Sequence, residues 1–143
     1  QEYNLQGQIR LLAPIFGQMK RDAFAAAELM VLPSLSEGSP MIVLDSLAVG
    51  VPVIATTASP WGDLEAYRCG WWVDPSSAAL GIAIRQACLM PREQLRQMGL
   101  RGQDLARAKY SWSQIAELTV QLYTWLLGSE PRPPFVADAA AAV

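Results

Sequence analysis

Two carboxylates, Glu37 and Asp45, stand eight positions apart inside the otherwise apolar stretch "SLSEGSPMIVLDSLAVGVPVIATT". Between them, Ser39-Pro40 reads as an N-cap followed by proline at the first helical position. The backbone N–H groups of Met41, Ile42 and Val43 would then be unpaired donors at a helix N-terminus. Such an end carries the positive pole of the helix dipole and suits an anion, in particular a diphosphate. Glu37, just upstream, can accept hydrogen bonds from hydroxyls or face a developing positive charge. Asp45 lies about one and a half turns into the helix and can reach a second set of hydroxyls. An anion site flanked by two hydroxyl-binding acids describes a pocket for a nucleotide sugar. The plainer reading makes Glu37 a solvated loop residue and Asp45 an exposed helix residue.

The elements that must hold these residues follow from hydrophobic spacing. "IRLLAPI" (9–15) reads as a buried strand, "QMKRDAFAAAEL" as a helix with Met19, Ala23 and Ala26/Ala27 on one side, and "LMVLPS" as a second strand stopping at Pro33. Residues 40–49 have helical spacing, with Met41, Leu44 and Ala48 on one face. "VPVIATT" is a third strand, entered through Gly50 at a helix C′ position and Pro52. Ser59-Pro60 opens a short helix, and "GWWV" is a fourth strand whose Trp71 and Trp72 point to opposite faces, as core residues with a sugar-stacking platform as the alternative. Asp74-Pro75 reads as a cap followed by N1 of a helix with Leu80, Ile84 and Cys88 on one stripe. Pro91 starts another, carrying Leu95, Met98 and Leu105. Ser111 to Gln114 has the form of a capping box. It opens a last helix with Ile115, Leu118, Leu122 and Trp125/Leu126 in line.

Alternating strands and helices, with continuous apolar strands, predict an α/β fold: a Rossmann-like parallel sheet with helices on both faces. Ligands of such sheets bind beyond the carboxyl ends of the strands. The loop from Pro33 to Pro40 leaves such an end. Residues 1–128 are expected to form a partial nucleotide-sugar-binding domain including its closing helix, and residues 129–143 a disordered tail.

Composition narrows the chemistry. The 143 residues are 52% hydrophobic and 17% charged, enough apolar content for a core. A net charge of −2 argues against nucleic acid as a partner. From Arg85 to Lys109, six basic residues face two acids; this reads as solvated helix faces, with phosphate or an anionic membrane surface as the alternative. There is no histidine, which removes histidine triads and histidine general bases from this chain. Cys69 and Cys88 read as reduced, packed thiols of a cytoplasmic protein. No signal peptide is seen, and the charge-free run 46–62 is too short for a span of about 20 residues. The chain lacks an initiator Met and enters almost directly into a strand-like run, so it is expected to be a piece of something longer. G-x-G-x-x-G and G-x-S-x-G are absent, which disfavours a dinucleotide-binding oxidoreductase and an α/β-hydrolase. Trp61, in a loop after a strand's carboxyl end, is either a pocket-lining or a packed residue. Asp63 and Glu65 read as solvated helix acids, with Asp63 near the donor as the alternative.

The 24 consecutive residues "PSLSEGSPMIVLDSLAVGVPVIAT" resemble the signature of glycosyltransferase family 4 (group 1), retaining nucleotide-sugar-dependent enzymes of the GT-B fold. The preceding stretch "IRLLAPIFGQMKRDAFAAAELMVLPS" and the closing "SWSQIAELTVQLYTWLL" resemble the family more weakly. "SPWGDLEAYRCGWWVDP" is similar to a subset that includes makers of cell-surface polysaccharide, lipopolysaccharide among them. The resemblance implies Glu37 on the donor-sugar hydroxyls near the reacting carbon, and backbone N–H groups around Gly38 and Ser39 on the sugar. It implies Met41, Ile42 and Val43 on the diphosphate and Asp45 on the ribose. It implies no cofactor and no metal, only the nucleotide sugar as donor substrate. The second acid is Asp45 where the family pattern has Glu. The family's Arg and Lys that clamp the diphosphate lie upstream, and Arg10, Lys20 and Arg21 do not sit in that pattern.

The reading is therefore part of the C-terminal, donor-binding domain of a hexosyltransferase whose N-terminal acceptor domain is missing. The enzyme is expected in the cytoplasm, peripheral to the inner face of the membrane where the acceptor is lipid-linked, and this chain alone is expected to be inactive. The reading from a different class is a non-catalytic nucleotide-sugar-binding or interaction module of the same fold.

Overall fold

Three short parallel strands in the order β1-β2-β3 organise the chain. The structure, a computed structural model, describes residue 5 and residues 7–137. In chain order the elements are α1 (Gly17–Ala26), β1 (Met30–Leu32), α2 (Met41–Ala48), β2 (Val53–Thr56), α3 (Asp63–Ala66), β3 (Gly70–Val73), α4 (Ser77–Leu89), α5 (Arg92–Tyr110) and α6 (Trp112–Leu126). Val53 pairs with Met30 on one side and Gly70 on the other, which makes β2 central, and all four of its residues are buried. A central parallel strand buried on both faces needs an unbroken apolar run, and "VIAT" comes close to one.

Helices cover both faces. Val53 and Ala55 lie with Val43 and Leu47 of α2, Leu64 of α3, and Leu105 and Ala106 of α5. Ile54 faces the other way, against Ala83 and Ala87 of α4. Trp72 joins the first cluster and Trp71 the second, the opposite-face placement expected of them. This is the predicted α/β sheet. α5 is seated by backbone contact: a Cβ added at Gly99 would lie 1.9 Å from the Gly50 carbonyl oxygen.

The turn that ends α2 follows the sequence reading. Gly50 takes φ +83°, the left-handed value glycine reaches without penalty. Its N–H donates to Leu47 O at 2.9 Å, and the Val51 N–H donates to Ser46 O at 3.0 Å. That pair of bonds is a Schellman motif, and it aims the chain into β2. The capping box at Ser111 is half present, since Ser111 Oγ accepts from the Gln114 N–H at 3.3 Å.

Several expectations need correction. Residues 9–15 form no strand: β1 pairs only with β2, and Leu11 is 94% exposed. Pro14 lacks the N–H that a ladder requires. The short helix starts at Asp63, not at Ser59-Pro60. The cap of α4 is Ser76, whose Oγ accepts from the Ala79 N–H, so Pro75 precedes the cap. The buried stripe of α4 runs through Ala83 and Ala87, while Ile84 and Cys88 are exposed. No residue of α6 is fully buried. Residues 129–137 include a buried Pro133 and a bond from Arg132 Nη2 to Val136 O. The rest of the expected tail, 138–143, lies outside the described residues.

Candidate functional site

The loop from β1 to α2 is tied down at the carboxyl end of the sheet. Thr56 Oγ1 donates to Ser34 O at 2.5 Å, and the Glu37 N–H donates to Ala58 O at 3.0 Å. Both bonds join the loop to the end of β2. Ser34 Oγ then donates to Glu37 Oε1 at 2.6 Å. One carboxylate oxygen is thereby held, and Oε2 accepts nothing among the described residues. Glu37 is half-buried, and the space beside Gly38 is open, with nothing within 4 Å of where a Cβ would sit.

The start of α2 differs from the expected cap in an informative way. The N-cap is Pro40, extended at φ −69° and ψ 102°, and no side chain caps the helix. Ser39 is outside the cap, so its hydroxyl does not consume a helix donor. Among the described residues, nothing accepts from the N–H groups of Met41 or Ile42. Val43 corrects the sequence reading: its N–H donates to Pro40 O at 3.1 Å, and its side chain is fully buried. Of the three donors expected from the sequence, Met41 and Ile42 are thus the two without an acceptor among the described residues.

Asp45 is not solitary. Lys20 Nζ of α1 donates to Asp45 Oδ2 at 2.5 Å. The pair lies in a hollow of about 360 Å³ lined by Gly17, Lys20, Arg21, Phe24, Asp45, Ala48 and Val49. Lys20 and Phe24 also line an adjoining apolar groove of about 480 Å³, with Pro14, Ile15, Phe16, Met30 and Ile42 among its walls. Glu37 stands in its loop outside both. The structure thus places Asp45 with Lys20 between α1 and α2, and Glu37 ahead of the α2 N-terminus. Lys20 is the residue sequence reasoning set aside. A separation of 25 residues, closed by one side-chain bond between α1 and α2, gives no sequence signal beyond a basic residue in a helix.

Other candidates resolve into structure. Trp61 is buried in the core and its ring lies 5.2 Å from that of Tyr110, the packed alternative of the two readings. Its Nε1 has no hydrogen-bond partner among the described residues. Asp63 is not a solvated acid: Lys109 Nζ and the Tyr110 hydroxyl donate to its Oδ2 at 2.6 and 2.7 Å. Burial alone would raise its pKa, but the bonds from Lys109 and Tyr110 outweigh that and hold it below the usual carboxylate value. Cys69 is the packed thiol expected, pushed up to about 11 by burial; Cys88 is exposed instead. Within the basic cluster, Arg92, Arg96, Arg107 and Lys109 pair with acids, and Arg101 Nε donates to Arg68 O. These side chains remain exposed, in keeping with the solvated helix faces expected of them. Among the described residues no helix is long and apolar enough to cross a membrane.

A parallel α/β sheet with an uncapped helix N-terminus at its carboxyl edge belongs to the Rossmann-like class of nucleotide-binding architectures. Residues 1–89, well over half the chain, match the family described as glycosyl transferases group 1, and the chain belongs to that family. An MMP alpha-(1->4)-mannosyltransferase of Mycolicibacterium hassiacum is 29% identical over 101 residues, covering 69% of this chain and 25% of its own. TuaC, a glycosyltransferase assigned to teichuronic acid biosynthesis in Bacillus subtilis, is 45% identical over 65 residues, covering 45% of this chain and 17% of its own. The solved structure of sucrose-phosphate synthase from Thermosynechococcus elongatus superposes with a TM-score of 0.63 at 27% identity, over 76% of this chain and 27% of that one. The fold is of the GT-B glycosyltransferase kind. The chain spans about a quarter or less of the length of these curated relatives.

Proposed function

We propose that this chain is the donor-binding part of a retaining glycosyltransferase, which moves a hexose from a nucleotide diphosphate sugar to an acceptor hydroxyl. The observation that carries the reading is the pair of unpartnered N–H groups, Met41 and Ile42, opening α2 between Glu37 and Asp45. In this reading the two N–H groups and the α2 dipole receive the diphosphate. As the bond between the sugar carbon and the diphosphate lengthens, negative charge grows on the leaving oxygen. Fixed donors aimed there stabilise it without reorganising. Glu37, held by Ser34 through Oε1, turns its free Oε2 to the hydroxyls of the donor sugar beside the reacting carbon. The backbone at Gly38 and Ser39 lies against that sugar, with the open space at Gly38 admitting it. Asp45 takes the ribose. No metal is assigned a role.

One relative, named a mannosyltransferase, agrees with a hexose donor, and another, assigned to teichuronic acid biosynthesis, favours a cell-surface polysaccharide as acceptor. The acceptor would be held by a preceding domain, with the whole enzyme in the cytoplasm and touching a membrane only where its acceptor is lipid-linked. The isolated 143 residues would bind a donor but turn over none. The test is a panel of nucleotide sugars offered to the full-length parent, followed by its Glu37→Ala variant. The reading expects transfer from one donor and its collapse in the variant; transfer unaffected by Glu37→Ala would overturn it.

A further inference from the structure

The Lys20–Asp45 pair has a composition that the donor reading does not use in full. Asp45 accepts from Lys20 through Oδ2 only, and Oδ1 accepts nothing among the described residues. The Lys20 ammonium has three N–H donors, of which the bond to Asp45 uses one. Both groups are about 40% exposed and face a hollow large enough for a pentose ring. A hydroxyl both donates and accepts. A carboxylate alone satisfies only its donating half; an ammonium beside it satisfies the other. Neighbouring hydroxyls on one ring can therefore donate to Asp45 while at least one accepts from Lys20 Nζ.

We infer that Lys20 is a specificity-determining residue, which together with Asp45 forms a donor–acceptor site for the vicinal diol of a ribonucleotide. This rests on the reading of the chain as a nucleotide-sugar site. A site built to bond a hydroxyl discriminates against the analogue lacking it, because its own polar groups are then left unpaired. In a buried site that effect is very large. Here water still reaches both partners, so the discrimination is about tenfold. Arg21 lines the same hollow but is turned to its own helix, its Nε and Nη2 both donating to Gln18 Oε1 at 3.1 and 2.6 Å. It supplies charge without contact and serves as the control.

The experiment is calorimetric titration of the full chain with ADP, GDP, CDP and UDP, and with the 2′-deoxy form of the tightest binder. Wild type should prefer the ribo form by about tenfold. Lys20→Met should weaken the ribo form by about that factor and bring the ribo-to-deoxy ratio within about twofold of unity. Lys20→Arg, which keeps a donor on α1, should retain most of the preference, and Arg21→Met should leave the ratio unchanged. Circular dichroism of each variant confirms that α1 is intact. Binding with the same ribo preference in Lys20→Met and wild type would overturn the assignment while leaving the donor site standing. An equal loss of preference in Arg21→Met would overturn it too, by showing general charge rather than contact. If no diphosphate binds wild type, the donor-site reading falls and Lys20 with it.

Discussion

Two lysine–carboxylate pairs in this chain have almost the same length and opposite settings. Lys109 reaches Asp63 at 2.6 Å, and Lys20 reaches Asp45 at 2.5 Å. Asp63 is 19% exposed and takes a second bond on the same oxygen from Tyr110, whose ring leans on Trp61. Those bonds fasten α3 to the end of α5. Asp45 is 41% exposed, has one donor and faces an open hollow. The distance between charges is therefore a poor guide to role. What separates the pairs is the hydrogen-bonding capacity the protein leaves unused and whether space adjoins it. By that measure the α3–α5 side is a fastening, and the α1–α2 side with the loop before α2 is the part to which the proposed function assigns the donor.

The sharpest way to break this contrast is to remove the acid at each place and measure transfer by the full-length enzyme. Glu37→Ala should lower kcat by about a hundredfold or more, the scale of a lost transition-state contact. Asp63→Asn should leave both kcat and KM within about twofold of wild type. Activity lost equally in the two variants would erase the distinction.

Stability should divide in the opposite sense. Asp63→Asn loses charge-assisted bonds in a half-buried setting and should destabilise by about 2 kcal/mol. Asp45→Asn removes a pair that water already screens, and should change stability by about 0.5 kcal/mol or less. Urea midpoints of the two variants decide the matter.

Asp45→Ala should then act on binding, raising the donor KM by about tenfold with kcat little altered. The smallest effect concerns acid. Because the Asp63 pKa is held below its ordinary value of 3.8, its contribution to stability is complete above that value. It is lost as the pH falls through the lower, folded value. Wild type should therefore lose more stability than Asp63→Asn below a pH of about 4, and the two should run parallel above it.

The comparison also explains what the sequence could convey. The α2 region was legible because its signals are local. Gly50 marks a turn that needs a positive φ, "VIAT" is a buried central strand, and the two acids flank one helix start. Residues 9–15 misled for the reason that makes apolar runs ambiguous: composition cannot say whether a neighbouring strand edge is taken up. Caps slipped by one or two positions at Pro40 and Ser76, since several adjacent residues offered a plausible start. Lys20 with Asp45, and Lys109 with Asp63, join residues 25 and 46 positions apart. Only the tertiary fold brings them together, so neither pairing was visible in the chain's order. Trp61 shows the same limit, since its burial depends on Tyr110 arriving from α5.

The central claim is that the opening of α2 is where the donor's diphosphate rests. The most direct measurement is an amide-resolved NMR titration of the 143-residue chain with the nucleoside diphosphate it binds best. The account predicts the largest shifts at the Met41 and Ile42 amides, smaller ones at Gly38 and Ser39, and none at Asp63, Lys109 or Tyr110. Shifts concentrated in α3 and α5, with Met41 and Ile42 unmoved, would contradict it.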